Sequence, residues 1–150
     1  MSIIKDIFYL RKMCMDVKAG DDIMPVAADL LEALNDDYGD LTAVAVAANQ
    51  IGHQLRMIIM RDKPRPPIYL VNPVIVNVRG HQLGPETCLS LPGRSVVVSR
   101  PQIVKVRGYN QYFRLVSYSF RGFQARVFCH ELDHLNGKLI IDYLTNHPTK

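Results

Sequence analysis

The sequence predicts an α+β domain across residues 1–150, with mostly antiparallel sheets packed around a central helix near the C-terminal end. Three observations predict it. One helical period near residue 25 and another near residue 130 bracket several alternating, β-branched segments. The 150 residues are 48% hydrophobic and 21% charged, which excludes disorder and suits a core that needs no disulfides. The longest apolar runs, such as Met57–Met60 and Ala43–Ala48, fall far short of the ~20 residues of a membrane span, and no fixed-period repeat suggests a solenoid.

Residues 1–20 mix charged and apolar residues without a clear period. Residues 23–34 carry Val26, Asp29, Leu30, Ala33 and Leu34 at helical spacing, with Pro25 suited to the first turn. Asp21 and Asp22 are candidate caps for its free amides. The segment Asn35 to Asp40, with Gly39, reads as a stop. Residues 43–50 are small and apolar with a polar end, and Leu55 to Arg61 reads as a strand. Lys63 to Pro67 reads as a short rigid loop. Ile68 to Val71 and Val74 to Val78 read as strands broken by Asn72-Pro73. Residues 80–93, with three Gly-or-Pro clusters, read as an irregular loop region. Ser95 to Ser99, Ile103 to Tyr109 and Tyr112 to Tyr118 alternate as strands, with Asn110-Gln111 as a hairpin turn. Gly122 to Leu135 has helical spacing and Asn136-Gly137 is its stop. Leu139-Ile140-Ile141 is a short apolar run before a polar tail.

The net charge of +4 comes from scattered Lys and Arg, so the sequence predicts a solvated surface and no specific nucleic-acid partner, with ribosome docking left open. Met1 to Asp6 lacks the apolar core of a signal peptide, which predicts a cytoplasmic protein with Cys14, Cys88 and Cys129 as reduced thiols.

The sharpest chemical signal is His130-Glu131-Leu132-Asp133-His134. Two His at i and i+4 project from one side of a helix and reach one metal ion, with Glu131 placed to handle the proton of a bound water. A chain with five His has a chance expectation of roughly 0.003 such matches. A catalytic centre of this kind wants a third protein ligand. The downstream pattern that would supply a third His fits as far as Gly137 and then meets Ile140. Asp142 and His147 remain candidates, at no recognised spacing. Upstream, Cys88 sits in a loop bounded by Pro85 and Pro92, and a thiolate ligates a dication well. Cys14 and Cys129 are poorer candidates.

Three segments, in order, resemble the motifs of the peptide deformylase family. They are Ala43-Val44-Ala45-Val46-Ala47-Ala48-Asn49-Gln50, Glu86-Thr87-Cys88-Leu89-Ser90, and His130-Glu131-Leu132-Asp133-His134. Leu10-Arg11-Lys12 resembles the family's N-terminal segment, and the resemblance covers roughly residues 6–144. It implies a metallohydrolase that removes the formyl group from formyl-methionyl nascent peptides. Cys88, His130 and His134 would hold one divalent metal, with water at the fourth position. Fe(II) would be native, with zinc, nickel or cobalt accepted. Glu131 would be general base and acid, while Gln50 and the Leu89 amide would meet the oxyanion. Glu86 and Asp133 would support the ligands, Asp133 by orienting a liganding imidazole. Val44, Ala45, Phe123, Val127 and His130 would line the methionine pocket, and Arg94 would touch the peptide backbone.

Ala43, Ala45 and Thr87 stand where the family has glycine. Side chains there require either negative φ at all three or shifted loops. The alternative reading is a catalytically degenerate relative that binds metal or peptide. A peptidase with a different third ligand and a purely structural metal site are the other rivals.

Overall fold

The computed structural model describes residues 2–39 and 41–145. Chain order is α1 (Ile7–Leu10), α2 (Met24–Leu34), β1 (Ala45–Ala47), one 3-10 turn (Ala48–Ile51), β2 (Met57–Asp62), β3 (Arg65–Arg79), β4 (Gln82–Cys88), β5 (Leu91–Arg100), β6 (Ile103–Tyr109), β7 (Leu115–Arg121), α3 (Phe123–Leu135) and α4 (Asp142–Thr145). Five strands form one sheet in the order β1-β2-β3-β6-β7, and β4-β5 form a separate two-stranded ribbon. Every pairing is antiparallel. The α+β expectation holds.

The sheet is covered on both faces where β1 and β2 cross it. Ile58 and Met60 point toward α3, into a cluster with Ala45, Ala47, Leu70, Phe120 and Phe128. Met57 and Ile59 point the other way, into a cluster with Val26, Leu30 and Leu34 of α2 and with Val46. Successive strand side chains leave opposite faces, so an apolar residue at every position needs a helix on each side. Asp29, the polar member of α2's apolar period, sits half-exposed and meets His53 Nε2 at 2.9 Å.

Several local expectations need correction. Asp21 and Asp22 do not cap α2: Ile23 occupies the cap without a side-chain bond, and Asp21 accepts from the Lys18 amide instead. Pro25 does lie in the first turn. The patternless N-terminus contains α1, capped by Asp6. The 63–67 loop is only a turn at 63–64, and Pro66 and Pro67 lie in β3. Asn72-Pro73 does not end a strand. It makes a register shift inside β3, where Asn72 has φ of 51° and its side chain bonds both backbone groups of Val17. Residues 80–93 are mostly the ribbon β4-β5 and not a loop, because Pro85 pairs opposite Val97 in a two-stranded sheet that leaves one edge free. The hairpin after β6 uses a longer turn than Asn110-Gln111. Asn110 Oδ1 accepts from Tyr112 and Arg114, and Phe113 takes φ of 60°. Of the segment 35–40, Asp40 lies outside the described residues, as does His147.

Helix α3 ends where the sequence says it should. The Gly137 amide bonds the His134 carbonyl and the Lys138 amide bonds the Asp133 carbonyl, with Gly137 at φ of 74°. This left-handed closure satisfies carbonyls that would otherwise lack partners. Arg56 takes two more acceptors, the Leu135 carbonyl and Asn136 Oδ1. A Cβ on Gly137 would overlap the Arg11 carbonyl. Gly137→Ala is therefore expected to lower unfolding free energy in urea by about 2 kcal/mol or more; a loss below about 0.5 kcal/mol would contradict the fit described for this turn.

Candidate metal centre

Two elements bring the site together. The ribbon supplies Cys88 at the end of β4, and α3 supplies His130, Glu131 and His134. Ligating atoms of Cys88, His130 and His134 all lie within 4.8 Å of one another. Cys88 Sγ stands 3.3 Å from His134 Nε2. Ligands at about 2.0–2.3 Å from one tetrahedral dication are themselves about 3–4 Å apart, so Cys88 and His134 already stand at ligand spacing, with His130 close enough to complete the set. The chemistry of the set agrees, since thiolate and imidazole suit iron, zinc, cobalt and nickel.

Of the two imidazoles, His130 is held from behind, whereas His134 Nδ1 is buried with no hydrogen-bond partner among the described residues. His130 Nδ1 meets Glu86 Oε1 at 3.0 Å, leaving Nε2 for the site. Glu86 in turn accepts two hydrogen bonds of 2.8 Å from Arg100 and one of 2.8 Å from Arg126. Burial works to raise the Glu86 carboxyl, but Arg100 and His130 outweigh it and hold it at about 2. His130 is drawn well above its usual value: burial opposes this, and Cys88, Glu86 and Glu131 outweigh burial. The anionic partners that favour a proton there equally favour a dication. His134 is pushed well below its usual value by burial and by His130 and Arg100, so its imidazole is neutral, as a ligand must be.

Glu131 is 5% exposed and lines the cavity, and its Oε1 has no hydrogen-bond partner among the described residues. Burial pushes this carboxyl up to about 7, against the lowering pull of His130. Gln50 is fixed at both ends: Oε1 accepts from the Ala47 amide at 3.0 Å, while Nε2 donates to Ser90 Oγ at 3.2 Å and lies 3.7 Å from Cys88 Sγ. The cavity is lined by Val44, Ala45, Gln50, Leu89, Phe123, Val127, His130 and Glu131, among others.

Not every residue singled out in the sequence lies where expected. Asp133 does not touch an imidazole. It pairs with Arg100 Nη1 at 2.8 Å and accepts from the Tyr143 hydroxyl at 2.6 Å, because the His130 nitrogen is already taken by Glu86. Arg94 is exposed and outside the cavity lining. The ribbon pairs Cys88 with Leu91 and Glu86 with Val96, so residues 92–95 bulge opposite Thr87 alone and carry Arg94 outward. Asp142 is engaged by Arg11 at 2.7 Å. Cys14 and Cys129 are buried thiols raised by that burial to about 11, which keeps them protonated. Ala43, Ala45 and Thr87 all have φ outside the positive range, so side chains at these three positions meet no backbone strain.

Sequence reasoning missed Arg100, Arg126, Ser90 and Asn49, whose Nδ2 donates to the His134 carbonyl at 2.9 Å. One signal for Arg126 was available: it interrupts the apolar run Ala125 to Cys129, all buried in α3.

A cysteine sulfur and two imidazoles grouped within reach of one ion, with a buried carboxyl group lining the adjoining cavity, form a donor set of the metallohydrolase kind. The polypeptide deformylase family model matches residues 4–150. The peptide deformylase of Desulforudis audaxviator is 38% identical over 138 residues, covering 91% of this chain and 87% of that protein. That of Dictyoglomus turgidum is 33% identical over 149 residues, covering 91% and 97%. A crystal structure of the deformylase from Vibrio parahaemolyticus bacteriophage VP16T, in complex with actinonin, superposes with TM-score 0.84 at 33% identity, covering 93% of this chain and all of that one. The Thermus thermophilus enzyme gives 0.84 at 32%, covering 94% and 83%. The chain belongs to the peptide deformylase family, whose members work with a divalent metal ion.

Glu86 is held below its ordinary 4.5, so the unfolded chain binds more protons in that window. Its contribution to stability is present above pH 4.5 and is lost as pH falls toward about 2. Unfolding of the apoprotein should show this acid-side loss, and Glu86→Gln should flatten it. An acid limb unchanged by the substitution would mean that Glu86 is not ionised in the fold.

Proposed function

We propose that this chain hydrolyses the N-terminal formyl group of formyl-methionyl peptides, with Cys88, His130 and His134 holding one divalent metal ion. The observation that carries the reading is the convergence of these three donors at the edge of a cavity that Cys88, His130 and Glu131 line. Fe(II) is the native metal in this reading, and zinc, nickel and cobalt suit the same donors. When bound, such an ion supplies Lewis acidity and brings the pKa of water down toward ~7.

The side chains do the rest. Glu131, buried and raised to about 7, takes a proton from the attacking water and hands it to the departing amine. Gln50, already anchored through Oε1, turns Nε2 toward the site, where it and the Leu89 amide meet the negative charge growing on the formyl oxygen. Val44, Ala45, Phe123 and Val127 give the methionine side chain an apolar wall. A formyl carbon carries only hydrogen, so a narrow site accepts it and rejects bulkier acyl groups. The Acinetobacter baumannii deformylase, 29% identical with TM-score 0.84, has been crystallised with Met-Ala-Ser bound, which supports a methionine-first peptide here. Nascent chains leaving the ribosome in the cytoplasm are the source of such peptides, and the +4 charge suits work near it.

Turnover of formyl-Met-Ala-Ser by anaerobic, metal-loaded protein tests the reading. Glu131→Gln should cut kcat by about 10²–10⁴ while the protein still binds metal. Gln50→Ala should cost about 10²–10³, and Cys88→Ala should lose the metal. A metal-loaded wild-type protein without turnover would overturn the reading, as would a fully active Glu131→Gln variant.

A further inference from the structure

We propose that Arg126 is a positioning residue for the metal triad: its guanidinium fixes the ribbon that carries Cys88 against the helix that carries both histidines. The inference rests on the metal site of the reading above and is independent of its substrate.

Among the described residues, the ribbon β4-β5 pairs only with itself. No backbone ladder therefore sets its distance from α3, although the site needs Cys88 and His134 in contact. Arg126 lies one helical turn before His130 and is 7% exposed. Its Nη1 donates to Glu86 Oε2 at 2.8 Å, to the Val98 carbonyl at 3.0 Å and to the Gly84 carbonyl at 3.1 Å, and Nη2 reaches the Gln82 carbonyl at 3.4 Å. These acceptors come from both strands, and Gly84 and Val98 are register partners. One planar guanidinium thus grips the ribbon across its width, a geometry for which its forked donors are suited.

The ribbon is shaped for this grip. A Cβ on Gly84 would lie 3.1 Å from Arg126 Nη2 and 3.3 Å from its Cζ. Gly84 does not have positive φ, so its missing side chain makes room for the guanidinium and serves no left-handed turn. From there the restraint runs two ways through Glu86. Along β4, Cys88 is two residues on. Across the carboxylate, Oε2 takes Arg126 while Oε1 meets His130 Nδ1 at 3.0 Å. An apolar side chain of similar length would fill the space without desolvating a charge, but it would restrain neither strand.

The test measures nickel(II) affinity of the full chain by chelator competition, and the thiolate-to-metal absorption of the cobalt(II) form. Arg126→Met is expected to weaken nickel binding about 10–100-fold, the usual loss when support behind a ligand is removed, at a temperature where the variant is folded. The cobalt absorption should shift with it. Arg126→Lys should fall between, because one ammonium cannot span both strands. Gly84→Ala, which keeps the charge and displaces the guanidinium, should weaken binding in the same direction; it and the lysine variant decide the matter if Arg126→Met does not fold. Variants that melt earlier yet bind nickel within twofold of wild type, with an unchanged cobalt spectrum, would overturn the proposal. Wild-type protein that binds nickel but leaves formyl-Met-Ala-Ser intact would overturn the hydrolase reading, and the affinity series would still decide the role of Arg126.

Discussion

The buried carboxylate of Glu86 is the contact on which the site depends. It is 5% exposed and sits between two guanidiniums and an imidazole. A charge so placed is stable only with its hydrogen bonds complete, and removing one partner is far costlier than the pair is favourable. Glu86 stands on the ribbon, His130 and Arg126 on α3, and Arg100 at the far end of β5. Satisfying one carboxylate therefore forces both strands of the ribbon and α3 into one arrangement, and that arrangement carries Cys88 up to His134.

The rest of the fold serves that meeting. The five-stranded sheet gives α3 an apolar bed through Ile58, Met60, Leu70 and Phe120. The Asn136-Gly137 closure ends the helix at Leu135, so His134 stands in the final turn while its carbonyl is taken by Gly137 and Asn49. The 3-10 turn following β1 sets Gln50 beside Ser90 and Cys88. Cys88, His130, Glu131 and His134 are thus placed by a strand end and a helix, and Gln50 by a 3-10 turn.

Much of this was legible in the sequence. Periodicity located α2 and α3, β-branched content located β2, and alternation found β6 and β7 to within a few residues. The ion-binding helix stood out because two histidines one turn apart are rare by chance. The ribbon was legible only in part: Ser95 to Ser99 alternates as a strand and lies in β5, but Gly84, Pro85, Pro92 and Gly93 suggest a loop, and tertiary contacts turn them into strands. Gly84 is there for the room it leaves Arg126, a reason no local pattern carries. Glu86 lies behind His130, in keeping with its expected place behind a ligand, but Asp133 does not: both are acids near the motifs, and only the fold shows that the second turns to Arg100 and Tyr143. At Ala43, Ala45 and Thr87 the sequence left two options open, and the structure shows the first: the backbone at each lies outside the positive-φ range and accepts a side chain.

The most direct measurement is X-ray absorption on the protein loaded anaerobically with a single divalent metal. The account predicts one sulfur at about 2.3 Å and two imidazole nitrogens near 2.0–2.1 Å, with the remaining position filled by solvent oxygen. A spectrum without a sulfur scatterer, or one in which four protein atoms saturate the ion, would contradict it.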